Sequence, residues 1–144
     1  MNLSAHVTLK EFQASGLATL RNLNNEMSES QIASAKLLCE NVFEPLRLYL
    51  NTPIKISSGF RSLQVNKMIG GSATSQHTKG EAMDLQINAK GFNFIKDKLE
   101  FDQLIWEFGN DEQPSWVHVS FSPRNRKQVL KASKKNGKTI YTNF

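Results

Sequence analysis

Residues 57–84 read SSGFRSLQVNKMIGGSATSQHTKGEAMD, and this stretch decides how the fold and the chemistry of the chain are interpreted. It holds His77 and Asp84, with Arg61 upstream in a Ser-Gly-Phe-Arg turn. A further histidine, His118, follows in the strand-like run WVHVSF. Two histidines and one carboxylate form a three-ligand zinc site with an open fourth position, the arrangement that a hydrolase needs to bind and activate water. These residues therefore predict a zinc hydrolase.

The length of the chain fits one compact domain. Its 144 residues are enough to bury most of the surface that the unfolded chain exposes, so we expect a single domain over residues 1–144. The one cysteine, Cys39, cannot form an intramolecular disulfide, and it falls at helical spacing among apolar residues, which predicts a buried side chain. No apolar run approaches the length of a membrane span, and the opening MNLSAHVTLKEF lacks the pattern of a secretory signal.

The formal charge of +5 is concentrated in a basic C-terminal segment, residues 123–144, which has seven basic side chains and no acidic one. Such a segment can bind nucleic acid, an anionic membrane or an anionic cell-wall polymer, or it can be a solvated face without a partner. We expect no nucleic-acid partner, because the segment offers only Tyr141 and Phe144 as stacking groups and no recognised motif.

Capping and periodicity predict the order of the elements. Capping boxes at 8–11 and 28–31 predict a short helix that ends near Gly16 and a longer helix that Pro45 kinks or interrupts. The further predicted elements are a strand at 54–56, a helix at 62–69, a strand at 81–87, a helix at 92–101, strands at 103–108 and 116–121, a basic helix in NRKQVLKASKK and an edge strand at 138–141.

The strands at 103–108 and 116–121 carry a parity argument. Successive side chains of a strand point to opposite faces, and neighbouring strands must bury their apolar sets together. Glu107 and His118 each lie opposite the apolar set of their own strand, so they share a face if the two strands pair. Asp84 likewise lies opposite the apolar stripe of its strand.

A hydrolase also needs a base and a cation. The parity argument ranks Glu107 first as the base, ahead of Glu112 and Asp111 in the polar loop 109–115. Arg61 is the expected cation, because its planar fork can bind a substrate carboxylate through two bonds or stabilise a tetrahedral intermediate.

A metal-binding imidazole is usually held by a hydrogen bond from its other ring nitrogen. Ser75, Gln76 and Ser120 are the expected partners for that bond. Two nitrogen ligands and one oxygen ligand suit zinc better than calcium or copper. His6 stands apart from the pattern, and we interpret it as structural.

The runs SSGFRSLQVN, SQHTKGEAMD and WVHVSF together resemble the M15 family of zinc peptidases, which includes D-Ala-D-Ala carboxypeptidases and phage-type lysins. The middle run has the highly specific pattern Ser-x-His-x-x-Gly-x-Ala-x-Asp. The opening TLKEFQASGLA, the run EPLR and the segment FDQLIWEF also resemble the phage-like branch, so the resemblance covers most of the chain.

The resemblance implies a fold and a ligand set. The fold is the α+β one shared with hedgehog signalling domains and DD-peptidases, with a small, mostly antiparallel sheet and helices packed on one side. The resemblance implies that His77, Asp84 and His118 bind Zn2+ and that Arg61 holds the substrate.

The position of the base is where the chain departs from part of the family. Several members place the catalytic acid three residues before the last histidine, and this chain has Ser115 there. Others place a glutamate six residues before it, which is Glu112 here. The phage-like branch resembles this chain in having Glu107 after the FDQLI run, which keeps Glu107 as the first candidate.

The substrate follows from the same resemblance. It implies hydrolysis of peptidoglycan stem peptides, either as a D-Ala-D-Ala carboxypeptidase or as an L-Ala-D-Glu endopeptidase, and includes the phage lysins. We expect a monomer, made in the cytoplasm, that acts at the bacterial cell wall after release or export. The alternative is a non-catalytic, zinc-containing module of the same fold, which binds the wall or forms part of a phage particle.

Overall fold

A computed structural model describes residues 1–144 and shows a mixed α+β fold. The eight strands are β1 (Asn2–Ser4), β2 (Val7–Thr8), β3 (Lys55–Ser58), β4 (Ala82–Gln86), β5 (Gln103–Glu107), β6 (Trp116–Ser120), β7 (Gln128–Lys135) and β8 (Lys138–Asn143). The six α-helices are α1 (Leu9–Gln13), α2 (Gly16–Leu20), α3 (Glu29–Leu38), α4 (Glu44–Leu50), α5 (Leu63–Met68) and α6 (Ala89–Lys98). None of these helices combines the length and the apolar character that crossing a bilayer requires.

Six of the strands form the central sheet, in the order β3-β4-β6-β5-β7-β8, and β1 pairs with β2 in a separate ribbon. Neighbours in the central sheet are antiparallel, except for β5 and β7, which run parallel. The predicted α+β class with a small, mostly antiparallel sheet is therefore confirmed.

The two faces of this sheet have different roles. Met83, Leu85, Val117 and Val119 lie on one face and belong to a core of 21 buried residues, to which α1, α3, α4 and α6 also contribute. Because side chains alternate along a strand, the residues between these apolar positions project from the opposite face. We call this opposite face the open face, and it carries the candidate site.

The longest helical segment behaves as its sequence predicts. Ser28 and Gln31 form the capping box that starts α3. Pro45 has no amide hydrogen to donate, and its ring would clash with the carbonyl one turn earlier in a regular helix. A wider π turn at Cys39–Phe43 precedes it and separates α3 from α4. The predicted interruption of the helix by Pro45 is thus confirmed, and it takes the form of a π turn just before the proline.

Cys39 is buried, as predicted, and His6 lies apart from the three predicted ligands. Cys39 is fully buried, and burial raises the pKa of its thiol to about 12. His6 is not on the open face. Its Nδ1 is 2.6 Å from Oε1 of Glu44.

The first part of the basic segment, residues 125–135, differs from its prediction. The run NRKQVLKASKK was predicted as a helix, but its residues Gln128–Lys135 form β7, which pairs with β5 on one side and β8 on the other. Its apolar residues Val129, Leu130 and Ala132 are compatible with a helix and with a strand, and pairing on two sides decides in favour of a strand. The predicted edge strand at 138–141 is confirmed and extends to Asn143 as β8.

Candidate metal centre

Three predicted ligands come together on the open face. Donor atoms of His77, Asp84 and His118 all lie within 4.8 Å of one another. His77 Nε2 is 3.4 Å from Asp84 Oδ1, and His118 Nδ1 is 3.2 Å from the same oxygen. The centroids of the two imidazole rings are 5.1 Å apart, with the rings at 65° to each other.

The pairing of β4 with β6 positions two of the three residues. Asp84 and His118 are direct cross-strand partners in the antiparallel register. Their neighbours Met83 and Val119 are also partners and face the core, so both ligands face the other way. The distance between the carboxylate and the imidazole is therefore fixed by backbone pairing.

The third ligand lies on a short turn beside the sheet. His77 belongs to a 3-10 turn, Gln76–Lys79, and the hydroxyl of Ser75 accepts from the backbone amide of His77. Gly80 ends this turn at a φ of 74°, where a Cβ would collide with the carbonyl oxygen of Gln31. A glycine at this position lets the chain turn sharply from the His77 turn into β4.

A backbone carbonyl orients the ring of His77. Its Nδ1 lies 2.7 Å from the carbonyl oxygen of Gly59, which can only accept, so Nδ1 carries the proton and donates it. The lone pair is then on Nε2, which faces Asp84. The prediction that Ser75, Gln76 or Ser120 would hold a ligand ring was wrong. Backbone carbonyls serve this purpose equally well and have no residue type by which a sequence could reveal them.

The charge state of the cluster suits a divalent cation. Burial lowers the pKa of His77, which keeps its imidazole neutral. Burial alone raises the pKa of Asp84, but its close contacts with the rings of His118 and His77 lower it by more, so the carboxylate is ionised. The site thus presents imidazole nitrogens and one negative oxygen, the ligand types that zinc prefers.

The spacing of the donor atoms also fits zinc. Donors at about 2.1 Å from a tetrahedral zinc ion lie about 3.4 Å from one another. The separations of 3.4 Å and 3.2 Å to Asp84 Oδ1 match this value. Three protein ligands leave one position of the tetrahedron for a water molecule or a substrate. The cluster therefore fits a zinc ion of the catalytic type.

Glu107 lies beside the cluster on the open face. It pairs with Trp116, and Ile105 pairs with His118, so all four side chains share this face and the parity argument is confirmed. Oε1 of Glu107 is buried and has no hydrogen-bond partner. Burial raises the pKa of this carboxyl. The nearby His118 lowers this pKa, and the charge of Asp84 raises it. Glu107 thus has one carboxylate oxygen without a partner next to the candidate zinc site.

The other carboxylates considered for the base lie elsewhere. Asp111 is exposed and forms an ion pair with Lys131. Glu112 is exposed in the turn after β5, where its backbone amide donates to Asn110. Ser115, at the position that several family members use for the acid, is also exposed.

Arg61 interacts with the cluster in two ways, through its backbone amide and through the charge of its guanidinium. Its amide donates to the carbonyl oxygen of His77 over 3.1 Å. Burial lowers the pKa of Arg61, and the charge of Asp84 partly offsets that effect. The guanidinium Nε is buried without a partner. A half-buried guanidinium beside the site has donors to offer to an anionic group of a ligand.

One buried carboxylate near the site was not recognised in the sequence. Asp102 is fully buried at the start of β5 and accepts from the side chains of Gln76 and Arg126. The only sequence feature that indicates its burial is its position next to the apolar run of β5. That signal is weak, because most such aspartates are exposed.

Comparison with known proteins agrees with this geometry. The sequence model of the family described as Peptidase M15 matches residues 10–120, which include all three ligands, Arg61 and Glu107. A zinc D-Ala-D-Ala carboxypeptidase of Streptomyces albus G is 28% identical over 81 residues, which cover 52% of this chain and 32% of that protein. The matched part of the chain thus spans about a third of the length of this relative.

Proposed function

Because the chain belongs to the peptidase M15 family, we propose that it is a zinc metallopeptidase that hydrolyses stem peptides of bacterial peptidoglycan. The observation that carries the proposal is the cluster of His77, Asp84 and His118, with Glu107 and its unpartnered Oε1 on the same face. The name of the Streptomyces relative supports the choice of substrate.

A zinc ion bound by the cluster supplies a Lewis acid that polarises a carbonyl oxygen and activates water. Glu107 takes a proton from the attacking water and passes it to the amide nitrogen of the leaving group as the C–N bond breaks. Its place on the face of His118 and its free Oε1 suit this role.

Arg61 orients the substrate. Its guanidinium offers two parallel donors to a carboxylate, which is a geometry that an amide or a hydroxyl does not match. Both candidate bonds present such a group. A stem peptide that ends in D-Ala-D-Ala has a terminal carboxylate, and the D-Glu after an L-Ala-D-Glu bond carries an α-carboxylate. Arg61 therefore supports either bond.

The test is mass spectrometry of muropeptides before and after digestion with the purified chain. A loss of one alanine indicates the carboxypeptidase, whereas new D-Glu amino termini indicate the endopeptidase. We expect chelator to stop either reaction and Zn2+ to restore it. Wall binding without cleavage, at full zinc content, would contradict the proposal and support the non-catalytic module instead.

Two variants separate the role of Glu107 from that of other carboxylates. Glu107→Gln is expected to lower kcat by about 10²- to 10⁴-fold and to leave zinc content unchanged. Glu112→Gln is the matched control, since Glu112 is exposed and is expected to leave kcat unchanged. The opposite pattern would assign the base to Glu112.

Action at the cell wall also gives the basic segment 123–144 a role. Lys134, Lys135 and Lys138 are exposed at the end of the β7–β8 hairpin, where an anionic polymer can reach them. Their attraction to the wall is screened by salt. Sedimentation with purified walls at rising salt tests this role, and salt-insensitive binding would contradict it.

A further inference from the structure

A row of four paired residues runs across the open face from the candidate site to the edge of the sheet. Trp116 on β6 pairs with Glu107 on β5, Glu107 pairs with Ala132 on β7, and Ala132 pairs with Tyr141 on β8. Paired residues share a face, so Tyr141 projects from the same side of the sheet as Glu107. The part of the chain that matches the family model ends at residue 120, before Ala132 and Tyr141.

The small side chain of Ala132, between Glu107 and Tyr141, leaves room for the ring of Tyr141 to extend toward Glu107. Adjacent strands lie about 4.8 Å apart, so the backbones of Tyr141 and Glu107 are about 10 Å apart. Ala132 between them is fully buried and ends at its Cβ. The long ring of Tyr141 can therefore lie over Ala132 and bring its hydroxyl toward Glu107.

The electrostatics of the phenol agree with this placement. Burial raises the pKa of Tyr141, and the charges of Glu107 and Asp84 raise it further. These two carboxylates act on the phenol only if it lies near the cluster. The phenol is protonated at neutral pH, so its hydroxyl is a hydrogen-bond donor.

Tyr141 is also accessible to a ligand. The residue is 54% exposed, although its neighbour Ala132 is fully buried. Arg61 follows β3 at one edge of the sheet, and Tyr141 lies on β8 at the other edge. A peptide across the open face therefore meets a guanidinium at one end, the candidate zinc site in the middle and a phenol at the other end.

We propose that Tyr141 is a substrate-contacting residue, whose hydroxyl donates a hydrogen bond to a carbonyl oxygen of the peptide on the Glu107 side of the site. This inference rests on the proposed peptidase function. It adds a contact from the C-terminal hairpin, so that β7 and β8 complete the substrate-binding surface.

Kinetics of Tyr141→Phe test the hydrogen bond, because this change removes only the hydroxyl. We expect kcat/KM on muropeptides to fall about 10- to 100-fold, with zinc content and Tm unchanged. Tyr49→Phe is the matched control, since Tyr49 lies on α4 and stacks on Phe94 with ring centroids 4.1 Å apart. A Tyr141→Phe variant with the kcat/KM of the unaltered chain would overturn the inference and leave the proposed function standing.

A spectroscopic measurement tests the placement without relying on hydrolysis. The chain has two tyrosines, so a sample labelled at one ring position gives two tyrosine NMR signals, which the two Phe variants assign. Replacement of zinc by paramagnetic Co2+ should shift the Tyr141 signal far more than the Tyr49 signal. Muropeptides added to the zinc-loaded Glu107→Gln variant should then move the Tyr141 signal alone.

The two measurements separate the possible failures. If the unaltered chain does not hydrolyse muropeptides, the proposed function fails, and the NMR titration still decides whether Tyr141 contacts them. If Co2+ shifts neither tyrosine, or if muropeptides leave the Tyr141 signal in place, the inference about Tyr141 is wrong whatever the activity.

Discussion

The side-chain amide of Gln76 donates to Oδ2 of Asp102 over 2.9 Å, and this bond joins the turn of His77 to the start of β5. The same carboxylate accepts from Nε of Arg126 at 2.8 Å and from the backbone amide of that residue at 3.0 Å. One buried charge therefore ties the metal-binding turn, the central sheet and the basic segment together.

Asp102 is expected to make folding stability depend on pH. Burial alone raises the pKa of this carboxyl, but hydrogen bonds from Arg126 lower it by more, to well below its usual range. A carboxyl with a lowered pKa in the folded state stabilises the fold above the unfolded pKa of about 3.9 and loses that contribution as the pH falls further. We expect Asp102→Asn to lower the free energy of unfolding at pH 7 by about 2 kcal/mol.

The sign of this effect can be checked by urea unfolding at several pH values. The difference between the unaltered chain and Asp102→Asn should be constant from neutral pH to about pH 5 and should shrink below about pH 4. Asp97→Asn is the control, because Asp97 is exposed on α6. A difference that grows as the pH falls would show that the paired carboxylate is not the cause.

Gly59 is expected to tolerate no side chain. A Cβ at this position would collide with the carbonyl oxygen of Phe12 and touch its ring. The carbonyl of Gly59 would have to move, and His77 would lose its partner. We expect Gly59→Ala to lower the free energy of unfolding by about 1–3 kcal/mol and to weaken zinc binding by about 10-fold or more.

Gly16→Ala is the matched control for this change, since nothing lies within 4 Å of a Cβ at Gly16. It should keep both the stability and the zinc affinity of the unaltered chain. Urea unfolding and competition with a chromogenic chelator measure the two quantities. Full zinc affinity in Gly59→Ala would contradict the assigned role of the Gly59 carbonyl.

Asp84 is expected to dominate the affinity for metal, because it is the one anionic ligand. Asp84→Asn keeps the shape of the side chain and removes its charge, and zinc affinity should fall by at least about 100-fold. Zinc at 100 times its dissociation constant should stabilise the unaltered chain by about 2.7 kcal/mol, and the variant far less. Equal zinc-dependent shifts in Tm for both proteins would place the ion elsewhere.

Arg61 is expected to contribute mainly to binding of the substrate carboxylate and less to the chemical step. Arg61→Lys keeps the charge but loses the planar fork, so KM for a peptide with a free C-terminal carboxylate should rise about 10-fold, with a smaller change in kcat. Arg21→Lys, an exposed position, is the control. A peptide amidated at its C-terminus should be an equally poor substrate for the unaltered chain and for Arg61→Lys. If the amidated peptide is cut as well as the free acid, Arg61 does not bind that carboxylate.

Side-chain periodicity was enough to predict the face on which the site is built. Leu104 and Trp106 on one strand and Val117 and Val119 on the other must be buried together, and a slip by one residue would separate these apolar sets, so the placement of Glu107 and His118 on one face follows from the pattern. The same reasoning located Asp84 opposite the core. These are features that local sequence and burial determine together.

Two features could not be predicted in this way because they depend on partners distant in sequence. The carbonyl of Gly59 holds His77, and backbone atoms carry no residue-type signal. The strand β7 contains a run that also suits a helix, and its pairing with β5 and β8 decides its form. Tyr141 reaches the site through that pairing, so the incorrect helix also concealed its position.

The cross-strand pairing of Asp84 with His118 has a consequence for how the protein handles metal. Their donor atoms are held apart at the right distance by the same backbone ladder that holds the sheet, so the site exists before an ion arrives. Small zinc domains that fold only around their ion unfold when it is withdrawn. We therefore expect the fold of this chain to survive withdrawal of the ion, so that the ion can be exchanged by dialysis without refolding.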